Sequence, residues 1–174
     1  MSMKILTKSL VVALMLLLVA GCTTTQRLDS AVLAAELSYL DSSYERASAT
    51  LEENLHLLEE TDRETVQVAW QQLTNVRDLL HSLTPEDAAA SAADVEHIYY
   101  ESKIAYLELR DVVAKHADNL SAQDRMFVRR VDTSAQRLDR SIDRLLAEGG
   151  DDVQVWMDSI RLSTQMMQLV TRLL

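Results

Sequence analysis

Beyond Cys22 the chain contains two glycines, Gly149 and Gly150, side by side, and a single proline, Pro85. Sheets, barrels and phosphate-cradling loops depend on turns built from these residue types. The remainder is rich in Ala, Leu, Glu, Gln and Arg, which lose little on entering a helix. The expectation is an all-α protein.

Apolar residues spaced alternately three and four apart mark one stripe of a helix. A first series runs Leu33, Leu37, Leu40, Tyr44, Ala47, Leu51, Asn54, Leu58, with one polar member. A second, Val66, Ala69, Leu73, Val76, Leu80, Leu83, is out of phase with it, and Thr61-x-x-Glu64 has the form of a capping box, which predicts a break near residues 60–62. Thr84-Pro85 ends that helix and starts a third. The third stripe is Ala88, Ala92, Val95, Tyr99, Tyr106, Leu109, Val113, interrupted by Ser102, and its small residues 88–93 would allow close approach of a neighbour. Asn119 and Ser121 punctuate the next break. A fourth stripe, Val128, Val131, Ala135, Leu138, Ile142, Leu145, stops at Gly149-Gly150, a C-cap signal, with Asp151 or Asp152 capping the last helix. That helix carries the row Val153, Trp156, Ile160, Ser163, Met167, Val170, Leu174 and, beside it, Leu162, Met166, Leu169, Leu173. Connections this short turn sequential helices antiparallel, so the expected architecture is an up-and-down bundle of four or five helices.

The N-terminus is of another kind. Lys4 and Lys8 precede an unbroken apolar run over residues 10–20, the charged and apolar regions of an export signal. The run has 11 residues, whereas a spanning helix needs roughly 20 to cross about 30 Å of hydrocarbon. It closes in Leu18-Val19-Ala20-Gly21-Cys22, where small residues occupy the two positions before the sole cysteine. This segment resembles the lipobox of bacterial lipoprotein precursors. The resemblance covers residues 1–22, and the rest of the chain is matched to no family from its sequence. It implies cleavage between Gly21 and Cys22, lipid (palmitate-type acyl chains) on Cys22, and durable membrane attachment, since two or three chains hold where one does not. Thr23 stands where an inner-membrane retention signal would have Asp, which implies the periplasmic face of the outer membrane. The expected organisation is a signal peptide over 1–21, a lipidated cysteine with a short tether over 22–27, and a helical domain over 28–174. One cysteine permits no disulfide within the chain.

Removal of residues 1–21 leaves 153 residues, enough for a single core, with 15 Lys plus Arg against 27 Asp plus Glu and a net charge of −12. Nucleic acid is an improbable partner for such a chain, because phosphate neutralisation requires clustered cations.

Glu53-x-x-His56, Asp78-x-x-His81 and Asp94-x-x-His97 have the spacing of di-iron bundle ligands. Glu53 and His56 point away from the apolar stripe, Asp94 and His97 avoid theirs, and His81 merely flanks Leu80, so no metal is expected. There is no Gly-x-Ser-x-Gly, P-loop or dinucleotide-binding glycine pattern. The expectation is no enzyme and no cofactor. Arg130, Arg137 and Arg144 recur every seven residues, with Arg129 and Arg140 nearby. They read either as a dock for an acidic partner or lipid phosphate, or as salt bridges to Asp139 and Asp143, or to Glu52, Glu59 and Glu60. Trp70, Trp156, Met166 and Met167 read first as core. The two rows of the last helix make it either the central helix of the bundle or an interface, through Leu162, Met166, Leu169 and Leu173, for an envelope protein or a second copy. The functional expectation is a structural or protein-interaction subunit of a cell-envelope assembly; the alternative is a chaperone-like module holding an apolar ligand between its helices.

Overall fold

The computed structural model describes residues 30–82, 92–148 and 152–174. Gly21 and Cys22, Leu83, the Thr84-Pro85 junction, Ala88 and the Gly149-Gly150 cap with Asp151 lie outside them. The described residues form five long helices: α1 (Ser30–Asn54), α2 (Glu60–Ser82), α3 (Ala92–Lys115), α4 (Ala122–Glu148) and α5 (Asp152–Leu173). Single 3-10 turns, Leu55–Leu57 and Ala117–Asn119, follow α1 and α3. No strand occurs among the described residues, and the protein is an all-α bundle.

The first break falls earlier than the phase change predicts. The helix has already resumed at Glu60, where the Arg63 amide donates to the Glu59 carbonyl at 2.9 Å, so Thr61 lies inside the first turn and the Thr61-x-x-Glu64 box does not form. The end of α1 is instead satisfied from across the break. The Arg63 guanidinium donates to the carbonyls of His56 at 3.4 Å and Leu58 at 3.1 Å, groups that a helix end otherwise leaves without partners. Ser121 does cap α4: the Asp124 amide donates to its Oγ at 3.1 Å, and its hydroxyl donates back to the Asp124 carboxylate at 2.5 Å.

Cross-helix bonds set the directions. Tyr99 and Tyr106 of α3 donate to Asp139 and Asp132 of α4, an antiparallel pairing, while Arg161 and Gln168 of α5 reach Glu36 and Ser43 of α1, a parallel one. Helix α5 packs on all four others, whereas α1 and α2, and likewise α3 and α4, meet only at their edges. The chain therefore alternates up and down around its own last helix.

Composition explains why α5 can be central. Two of its buried polar residues, Ser159 and Thr164, donate to the carbonyls of Val155 and Ile160 at 2.8 Å, so their hydroxyls are satisfied within the helix and can be buried. What remains outward is the row Gln154, Arg161, Gln165, Gln168 and Arg172, with Thr171 beside its end. Around it the core takes Leu33, Leu40, Ala47 and Leu51 from α1, Val66, Ala69, Leu73, Val76 and Leu80 from α2, and Val131, Ala135, Leu138 and Ile142 from α4. Helix α3 departs from its expected stripe: Ile98, Ala105 and Val112 are buried along with Val95, Tyr106, Leu109 and Val113, and Ser102 lies fully buried among them.

Candidate functional site

Of the two readings of the last helix, its position supports the central one. Leu162, Met166 and Leu169 are buried in the protein's own core and Leu173 is half-buried, because four neighbouring helices cover both apolar rows of α5. These residues are not available to a partner in the folded chain. Met167 is buried as expected, and Trp70 is half-buried, its ring stacked on Tyr44 at 4.8 Å.

His81 and His97 lie against acids from another helix or one turn on, rather than against the acids three residues before them. His81 Nε2 lies 2.9 Å from Asp41, which also accepts from Arg77 Nε at 2.7 Å. Burial works to raise the Asp41 carboxyl, but the bonds from Arg77 and His81 prevail and hold it below its ordinary value. His97 approaches Glu101 at 3.8 Å. His116 Nε2 donates to Asp62 Oδ2 at 2.7 Å while Lys115 Nζ donates to Oδ1 at 2.5 Å; these bonds lower the Asp62 carboxyl despite its burial. Among the described residues no three metal-ligating side chains converge.

A cleft between α3, α4 and α5, lined by Leu109, Val113, Val128, Val131 and Met166, has a volume of about 10 Å³, room for roughly one water molecule.

Two exposed helix faces stand apart from ordinary surface. The first is on α3, where Tyr100, Ile104 and Leu107 are 55%, 41% and 46% exposed. Their i, i+4, i+7 spacing puts them on one stripe opposite the buried Ile98, Ala105 and Leu109. Glu96, Glu108 and Asp111 border it. The sequence reading missed this face, although the spacing was there to be seen; a second apolar row on α3 was masked by Tyr99 and Tyr106, which drew the stripe to one side.

The second face is on α4. Arg130, Arg137 and Arg144 are all exposed, as are Arg129 and Arg140. The salt bridges considered for them do not form. Asp139 is taken by Lys103, at 2.6 and 2.7 Å, and by the Tyr99 hydroxyl at 3.1 Å, all from α3. None of the ion pairs joins Asp143, Glu52, Glu59 or Glu60 to these arginines.

No family model, curated protein or solved structure matches the chain.

Proposed function

We propose that the protein is a lipid-anchored periplasmic lipoprotein of the outer membrane that serves as a non-enzymatic interaction subunit of an envelope assembly. The anchor rests on Leu18-Val19-Ala20-Gly21-Cys22 behind a charged and apolar leader. No described helix is long and apolar enough to cross a membrane. The interaction role rests on one observation, the Tyr100, Ile104 and Leu107 stripe on the outer face of α3. An apolar i, i+4, i+7 row flanked by charges is how one helix seats against a partner's groove or helix, and large exposed side chains in a row mark interfaces more often than singly scattered ones do.

The test is site-specific photocrosslinking in intact cells, with the crosslinking residue at Tyr100 and, as reference, at Gln67 on the outer face of α2. A discrete adduct with one envelope protein from Tyr100 and none from Gln67, abolished by Leu107→Arg in a chain that keeps its helical content, is the expected result. Adducts at both positions, or adducts insensitive to Leu107→Arg, would overturn the assignment of α3.

A further inference from the structure

We propose that the outer face of α4 is a docking surface for the anionic phosphate layer of a phospholipid bilayer. The inference rests on the membrane address proposed above and on an uneven distribution of charge in this helix. At 100° per residue, Arg129, Arg130, Arg137, Arg140 and Arg144 fall within an arc of about 100° centred roughly opposite the buried Val131, Ala135, Leu138 and Ile142. Asp132 and Asp139 lie on the flank that faces α3, where Tyr106, Tyr99 and Lys103 hold them. Asp143 shares that flank, so over residues 122–147 the arginine arc contains no carboxylate.

Five of the eight Lys and Arg described outside α4 are paired with an acid. Arg77, Lys103, Lys115, Arg161 and Arg172 are each bound to an Asp or Glu, while Arg129, Arg130, Arg137, Arg140 and Arg144 have no ionic partner among the described residues. In a chain of net charge −10, this leaves a positive face on α4. An anionic plane attracts that face and repels the others, so charge alone selects a single orientation. From Arg129 to Arg144 the strip extends about 22 Å along the helix, a line of contacts suited to a planar array of phosphates. Guanidinium matches phosphate oxygens in bidentate fashion, which lysine does not. The segment between Cys22 and Ser30 extends at most about 3.3–3.6 Å per residue, which keeps the bundle near the bilayer surface and lets α4 lie along it.

The experiment uses the purified mature protein on vesicles of phosphatidylethanolamine alone and of phosphatidylethanolamine with phosphatidylglycerol. A fluorophore is placed at Thr133→Cys, inside the arginine arc, or at Gln67→Cys on α2, and read by acrylamide quenching. Thr133 should be shielded on the anionic vesicles, accessible on the neutral ones and accessible again in high salt, with Gln67 accessible throughout. Replacing the arginines with Gln should lower the shielded-to-accessible ratio about fivefold for each one at low ionic strength. Equal access on both vesicle types, or undiminished shielding with all five replaced, overturns the proposal. Shielding that appears only when an acidic envelope protein is added reassigns the face to that protein and overturns it as well. The mass of the N-terminal peptide tests the anchor separately: an unacylated Cys22 together with arginine-dependent flotation would sink the lipoprotein reading and support the docking face.

Discussion

Replacing Asp62 with Asn tests whether the α2–α3 contact depends on a buried charge. Asp62 sits in the first turn of α2, 2% exposed, and accepts from Lys115 and His116 at the far end of α3. Asn keeps the volume and removes the charge. Bonds to an ionised acceptor contribute about 1.5–3 kcal/mol each when shielded from water. Here the partners are 52% and 36% exposed, so solvent screens them toward the small values of surface pairs. The buried carboxylate as a whole should therefore contribute about 2 kcal/mol at neutral pH, which for a domain of this size lowers Tm by about 4–8 °C. The pH dependence supplies a sharper test. The folded carboxyl titrates below its ordinary value of 3.8, so its contribution is complete above that pH and is lost as the pH falls through the folded value. A protonated Asp62 resembles Asn, and the gap between parent and variant should close in acid. Urea unfolding followed by circular dichroism, over a series from neutral to acid pH, measures both. A variant as stable as the parent at neutral pH, or a gap of constant size down the series, would refute the reasoning.

At the alkaline end, burial and the bonds to Asp139 and Asp132 push the Tyr99 and Tyr106 hydroxyls up to about 12. Their contribution is full below pH 10 and lost as the pH rises toward 12, and replacing both with Phe should flatten that limb of the stability curve; an unchanged limb would show that other groups govern it. Met166→Glu together with Leu173→Glu puts a carboxylate into the core of the central helix, where an unpaired charge costs several kcal/mol, and should unfold the domain by circular dichroism; a folded double variant would remove α5 from the centre. Cys22→Ser should abolish metabolic labelling with radioactive palmitate, and unchanged labelling would refute the lipid assignment.

Local order was legible because a helix is specified by residues within one or two turns of each other. The scarcity of Gly and Pro and the three-four spacing pointed to a bundle of four or five helices, and every member of the α2 series from Val66 to Leu80 is buried. Capping was less so: Ser121 could be read, but the end of α1 is closed by Arg63, whose role appears only once α2 has folded back.

The sequence by itself thus determined the helical class and the phases of most apolar stripes. Which faces meet, and which stay in water, was decided by the tertiary structure. On α3 two apolar rows compete, and only packing against α2 and α5 turns Ile98 and Ala105 inward and leaves Tyr100, Ile104 and Leu107 out. On α5 both rows are consumed because four helices surround it. On α4 Asp139 is held by Lys103, 36 positions away, rather than by a neighbouring arginine. Periodicity encodes the direction of a side chain relative to its own helix axis, while its partner depends on how distant helices share a limited interior, and no local pattern carries that information.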